Sequence, residues 1–283
     1  MSLTVRKRLS AVITYVVLII VFIFVVFPIF YTFMGSFKSN QELLTSGSTI
    51  IPQKFVLDNY EQAWSLANFE QYTWNSLYMS FFIVLGTIIT STVSGYCFER
   101  GKFRGKNTIF AIVVSSMFVS LGSLTLYPTV MIAKWFGINK SLWGVILIRV
   151  LGMNVTNLFI TRTYIRTVSP EIDEAAKIDG CSFFSTFVHI IFPLLKPLIA
   201  TIAILEFRHS WNDYMMPMVF TMSKPERMPL VVGVVSLKSS GEAASSWNLM
   251  LAGTAISMIP MIAVYMIFNR YFIEGMTAGA VKG

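Results

Sequence analysis

An all-α integral membrane protein with six transmembrane helices is the fold class that this sequence predicts. Three observations lead there. Of the 283 residues, 55% are apolar and 13% charged, whereas soluble domains hold about 45–50% apolar and about 25% charged residues. Six stretches reach the length of about 20 residues that crosses hydrocarbon as a helix. The basic residues fall in short clusters between those stretches, as membrane topology requires. The same figures exclude disordered, collagen-like and disulfide-rich secreted chains. The net charge of +8 belongs to topology rather than to nucleic-acid binding.

The expected spans are 11–34, 76–98, 109–133, 142–160, 194–220 and 249–268. They leave a cytoplasmic N-terminus at 1–10 and a cytoplasmic tail at 269–283. The first span is too long for the apolar region of a signal peptide and lacks a small-x-small cleavage site, so it is read as an anchor. It follows Arg6, Lys7 and Arg8. With that end inside, 13 of the 22 Lys and Arg residues fall on inside segments and seven outside. Both termini are therefore expected in the cytoplasm of a bacterial cell, with the chain a multi-pass protein of its inner membrane. Trp64, Trp74, Trp135, Trp143, Trp211 and Trp247 all fall on the outer side of this arrangement.

No catalytic or nucleotide-binding pattern accompanies the spans. Gly101–Asn107 has three residues between its glycines and Asn after Lys106. A phosphate-cradling loop needs four residues there and Ser or Thr after the Lys. No nucleophile elbow or zinc-protease motif occurs. Cys97 and Cys181 form no framework, and His189 and His209 are the only histidines. No metal site, bound cofactor or enzymatic activity is expected of this chain.

The segment between spans four and five, 161–193, carries too many helix signals for a connector. Ser169 and Pro170 suit a helix start. Glu171, Asp173 and Glu174 complement the helix dipole. Ala175 and Ala176 favour the helix, and Gly180 suits a left-handed stop. A helix of about ten residues follows from this pattern, with Phe183, Phe184 and Phe187 beyond it at the interface. Two readings stand side by side. One is an interfacial amphipathic helix. The other is a docking knob, with Ala175 and Ala176 permitting close approach and the carboxylates facing a basic partner.

Glu174-Ala175-Ala176-Lys177-Ile178-Asp179-Gly180, with Ile190 ten residues after the Gly and then Pro193, resembles the EAA motif. That motif marks the membrane subunits of bacterial ATP-binding-cassette (ABC) importers; Phe192 stands where Leu is usual. Ser210-Trp211-Asn212-Asp213-Tyr214 resembles the W-N-[DE]-[FY] block of carbohydrate importers. Gly275–Gly283, GMTAGAVKG, is similar to the tail of the smaller membrane subunit of maltose-type importers. The resemblance implies the type I importer permease fold and a coupling helix seated in a cytoplasmic ATPase. It implies ATPase-coupling roles for Glu174, Ala175, Ala176, Asp179 and Gly180, and an ATPase-contacting tail at Ala280, Val281, Lys282 and Gly283. It also implies a homologous second permease, two ATP-binding subunits holding ATP and Mg²⁺, an extracytoplasmic solute-binding protein facing 230–247, and a sugar or oligosaccharide substrate.

Arg149, Glu206, His209, Trp211, Asn212 and Asp213 lie within expected spans. A central charge costs about 2.5–3.5 kcal/mol on insertion scales, so such groups turn to a partner or a wet cavity. One reading makes them a substrate path, with Trp211 or Tyr214 stacking on a sugar face. The other makes them structural, with Arg149 paired to Glu206 and Asn212–Asp213 holding a helix break. An ion-coupled secondary transporter is the rival function; it calls for inverted repeats and a carboxylate relay, and the sequence displays neither.

Overall fold

The computed structural model describes residues 3–45, 49–66, 68–119, 122–237 and 246–280, which are mostly helical and contain no strand. The helices are α1 (Leu3–Ser36), α2 (Asn40–Thr45), α3 (Asp58–Leu66), α4 (Phe69–Arg100), α5 (Lys106–Ser115), α6 (Leu126–Trp135), α7 (Leu142–Leu151) and α8 (Val155–Thr167). They continue with α9 (Glu171–Ile178), α10 (Phe183–Thr186), α11 (Phe192–Leu194), α12 (Lys196–Trp211), α13 (Met215–Thr221), α14 (Leu230–Ser236) and α15 (Trp247–Ala280). A π-helical turn at Phe187–Ile191 joins α10 to α11.

Among the described residues, three unbroken helical stretches are long and apolar enough to cross a membrane: Ser10–Ser36, Phe69–Arg100 and Trp247–Phe268. The other expected spans are interrupted. Span 109–133 is α5 and α6 joined through 3₁₀ turns at Ser116–Phe118 and Gly122–Thr125. Here side-chain hydroxyls compete with the ladder: Ser116 Oγ donates to the Val113 carbonyl at 2.6 Å and Thr125 Oγ1 to that of Gly122 at 2.9 Å. Span 142–160 is α7 and α8, bent by 43°. The helix restarts because Asn154 caps α8, its side chain accepting the Asn157 N–H at 3.2 Å. Span 194–220 is α12 and α13, parted at 212–214, with Pro217 in α13. Residues 269–280, expected as a tail, continue the helix of α15.

The chain divides into two compact units. The first holds residues 1–69 and 233–259. Its α1 leaves its apolar side chains bare, with Phe24 at 77% exposure, a surface suited to lipid. Polar pairing closes the far end of that helix. Asn59 Nδ2 donates to the Ser36 and Lys38 carbonyls, each at 2.8 Å, and its Oδ1 accepts from Asn248 at 2.8 Å. Ser36 and Tyr60 hydroxyls meet at 2.6 Å.

The second unit holds residues 70–232 and 260–283. Its described residues include two apolar clusters. Met79 and Ile83 of α4 pack with Ala133, Leu142, Val145, Ile146, Met216 and Phe220. Tyr96, at the other end of α4, packs with Ile165, Phe187, Ile191, Leu195, Leu198 and Ile202. Gly86 and Gly95 let α4 come close to its neighbours: an added Cβ would lie 2.4 Å from a Val150 methyl at the first and 2.4 Å from the Thr161 methyl at the second. Along α7–α8 and α12–α13, the helix breaks fall between the parts belonging to the two clusters.

Candidate functional site

Two features carry chemistry: the short helix α9 and a cavity at the helix breaks. α9 is anchored by one face. Asp173 Oδ1 accepts from the Tyr96 hydroxyl at 2.8 Å, and Arg100 Nε lies 3.0 Å from its Oδ2. Ala176 is buried at 2% exposure. The other face is bare: Glu174, Ala175, Lys177, Ile178, Asp179 and Gly180 are all exposed, Ile178 at 86%. The helix has eight residues rather than ten, with Pro170 at the cap position. Ser169 still helps there, its Oγ accepting the Glu171 N–H at 3.3 Å.

α9 ends in a Schellman motif. Cys181 N–H donates to the Ala176 carbonyl at 2.9 Å and Gly180 N–H to that of Lys177 at 3.1 Å. Gly180 takes φ +79°, a region where a Cβ crowds the backbone. That turn sends the chain back into α10, where Phe183 stacks on Tyr96 with ring centroids 4.5 Å apart.

The cavity encloses about 530 Å³, within the range of about 300–1,000 Å³ typical of small-ligand sites. Its lining comes from all three interrupted segments. Gly122, Ser123, Thr125 and Thr129 contribute from the first, Arg149, Gly152, Met153 and Asn154 from the second, and Glu206, His209, Asp213 and Met215 from the third. Broken helices at membrane depth are tolerated where the freed backbone faces a wet cavity or a protein partner. Polar contacts fix the walls. Arg149 is paired with Asp213. Glu206, 5% exposed, has Oε1 held by Asn154 Nδ2 at 2.6 Å and by Asn157 Nδ2 at 2.7 Å. Charge-assisted bonds of this kind are short and strong.

Residues 2–278 match the family described as the binding-protein-dependent transport system inner membrane component. The chain belongs to this family. Among its relatives are the arabinooligosaccharides transport system permease protein AraQ of Halalkalibacterium halodurans, 30% identical with 91% of each chain covered. The galactooligosaccharides transport system permease protein GanQ of Bacillus subtilis is 28% identical, with 100% of this chain and 99% of the relative covered. The sn-glycerol-3-phosphate transport system permease protein UgpE of Pectobacterium atrosepticum is 27% identical, with 96% and 97% covered. A chain of a bacterial ABC transporter crystal structure, one involved in import of the acidic polysaccharide alginate, superposes with a TM-score of 0.80. It is 24% identical, with 96% of this chain and 99% of that chain covered. That likeness gives the fold, and the family with its relatives makes this chain a multi-pass ABC importer permease of the inner membrane. Family membership sets aside the ion-coupled secondary transporter.

Within the permease, the residues read from sequence divide. Arg149, Glu206, His209 and Asp213 come together on the cavity wall. Their pairing differs from expectation: Arg149 meets Asp213, while Glu206 goes to two asparagines. Asp213 lies beyond the end of α12 and is free to turn toward α7, which a helical register does not foresee. Trp211 is not on that wall. It is 2% exposed and stacks on Phe207 with centroids 5.3 Å apart, so it presents no face for sugar stacking here. Asn212 is exposed and donates to the Arg208 carbonyl at 2.8 Å, closing the end of α12. Tyr214 is likewise absent from the lining.

Of the expected ATPase-coupling residues, Glu174, Ala175, Asp179 and Gly180 share the bare surface. Ala176 turns inward, because position 176 lies three residues after the anchored Asp173 on the same helix face. Ala280 is the last residue of α15; Val281, Lys282 and Gly283 lie outside the described residues. Sequence reasoning missed Asn154, Asn157, Tyr96 and Arg100. The first two had a signal, since Gly152-Met153-Asn154 interrupts an apolar run with a strong cap residue. No group of three or more His, Cys, Asp or Glu placed to hold a metal ion occurs among the described residues.

Proposed function

We propose that this permease forms part of the translocation path for a sugar or oligosaccharide and is driven through α9 by a separate cytoplasmic ATPase pair. In this reading a second, homologous permease completes the path and an extracytoplasmic solute-binding protein delivers the substrate. ATP and Mg²⁺ bind to the partner ATPases; this chain binds no cofactor and breaks no bond. Both termini lie in the cytoplasm, and the tail through Gly283 reaches the ATPases.

The observation that carries the reading is the two-sided build of α9. A helix anchored by a buried carboxylate on one face presents Ile178, 86% exposed, on the other, an apolar side chain that the described residues leave uncovered. A partner that closes and opens against that face makes different contacts in its two states, which is the requirement for passing on a conformational change. The carbohydrate class is supported by the relatives, whose names refer to arabino- and galacto-oligosaccharides. The cavity fits it chemically, with hydroxyl, amide, carboxylate and guanidinium groups on its wall.

The test is isolation of the complex through a tag on this chain, followed by reconstitution in liposomes. ATP hydrolysis that co-purifies, together with ATP-dependent uptake of labelled arabinotriose or galactotriose, supports the reading. Solute movement by the purified chain alone contradicts it. A membrane-impermeant maleimide is expected to label Cys181 only when it has access to the cytoplasmic side.

A further inference from the structure

The last turn of α4 and Glu206 of α12 hold opposite ends of one helix, α8. α8 runs 13 residues, Val155–Thr167, or about 20 Å at 1.5 Å per residue. At its C-terminal end, Arg100 of α4 donates from Nη2 to the Ile165 carbonyl at 3.3 Å and to the Val168 carbonyl, while its Nε faces Asp173 of α9. One guanidinium thus joins α4, the end of α8 and the start of α9. One residue earlier, Glu99 accepts from Arg162 Nε at 2.9 Å and Arg166 Nε at 3.2 Å, both on α8. At its N-terminal end, the cap Asn154 and Asn157 both grip Glu206 of α12 on the cavity wall.

We propose that α8 is the strut that carries movement of α9 to the cavity, with Arg100 as the pin at one end and the Asn157–Glu206 clamp at the other. The proposal rests on the reading that α9 receives motion from an ATPase. Apolar packing between helices tolerates small slides, whereas buried hydrogen bonds to charge fix register. Both ends of α8 are fixed in the second manner, so a shift of α9 displaces the backbone that holds Glu206. Arg100 is a positioning residue, and its fork geometry is the point: Lys keeps the charge but offers one ammonium where Arg reaches Asp173 and two carbonyls at once.

The experiment uses the complex isolated with its native partners, with Cys97→Ser and Cys181→Ser in this chain and Met215→Cys as reporter. Met215 lines the cavity and is 55% exposed. Thiol labelling is timed with and without trapping of the ATPases by Mg-ATP and vanadate. In the reference complex, trapping is expected to change the labelling rate by about fivefold or more. Arg100→Lys should abolish that change while ATP hydrolysis persists, and Lys102→Gln, exposed on the neighbouring loop, should leave it intact. If Arg100→Lys fails to co-purify with the ATPases, Asn157→Ala at the other end carries the same expectation. A trap-dependent change that survives in the pin or clamp variant overturns the strut, as does a reference complex that hydrolyses ATP with no change at position 215. Absence of co-purifying ATP hydrolysis from the reference complex instead overturns the ATPase-driven reading beneath it.

Discussion

Arg149, near the end of α7, is paired with Asp213 in the break between α12 and α13. The contact ties two interrupted helices across the cavity wall, with the two side chains 31% and 9% exposed. Removing one partner leaves the other charge uncompensated, which costs about 3–5 kcal/mol in a fully buried pair. Arg149 retains partial access to water, so Asp213→Ala is expected to lower stability by about 1–3 kcal/mol. Arg149→Met combined with Asp213→Ala should recover part of that loss. Thermal unfolding in detergent, followed through the accessibility of Cys97 and Cys181, measures the cycle. Additive losses in the double variant count against the pairing.

The Glu206 clamp predicts a contrast between two substitutions. Gln retains an oxygen able to accept from both Asn154 and Asn157, so Glu206→Gln should unfold within about 1 kcal/mol of the parent. Ala leaves the buried Asn157 amide without its acceptor, at about 1–3 kcal/mol, and the half-buried Asn154 amide on the cavity wall loses the same acceptor at a smaller cost. Unfolding midpoints of Glu206→Gln and Glu206→Ala, measured side by side, test this; equal midpoints contradict the clamp. If the substrate carries carboxylates, Glu206→Gln should also raise its uptake relative to a neutral oligosaccharide, since one like charge leaves the wall.

The architecture was legible where physics acts on composition. Apolar length located the continuous helices, because hydrocarbon thickness sets a minimum run. Acidic first-turn residues and Gly180 located α9, because capping and dipole effects act within one turn. What escaped was anything decided between helices. The breaks at 152–154 and 212–214 are encoded by a cap and by short polar residues within apolar runs, and a hydropathy reading smooths over them. Once those helices end, the 100° step no longer governs direction. Asp213 therefore reaches Arg149, whereas Trp211, still the last residue of α12, is packed on Phe207 in the interior rather than on the substrate path. Asp173 and Ala176 are similar cases: the sequence places them on α9, but only the neighbouring Tyr96 and Arg100 decide which face is inward.

At Gly180 the backbone has φ +79°, and an added Cβ would meet no atom within 4 Å. A substitution there is opposed by backbone strain alone. Gly180→Ala is expected to lower stability by about 1–2 kcal/mol. Gly180→Pro should act more strongly, because it also removes the N–H bonded to Lys177. ATP-dependent uptake should fall in the order Gly, Ala, Pro, with the membrane level of the Ala variant near that of the parent. Equal uptake by all three would show that the turn after α9 has no part in coupling.

The two faces of α9 separate a folding defect from a coupling defect. Ala176 is buried at 2% exposure beneath the helix, so Ala176→Arg forces a charge into a packed site and should reduce the amount of folded protein in the membrane. Ile178 is 86% exposed; in the isolated chain Ile178→Asp exchanges a solvated apolar side chain for a solvated charge and should alter stability by less than about 0.5 kcal/mol. In the working transporter the same change places a carboxylate where an apolar contact is expected. A hot-spot truncation of that kind costs about 2 kcal/mol or more of binding, so co-purification with the ATPases should weaken by at least about tenfold. Quantifying membrane levels and ATPase recovery for both variants gives opposite patterns if α9 docks through its bare face. Full ATPase recovery with Ile178→Asp would mean that the docking surface lies elsewhere on the chain.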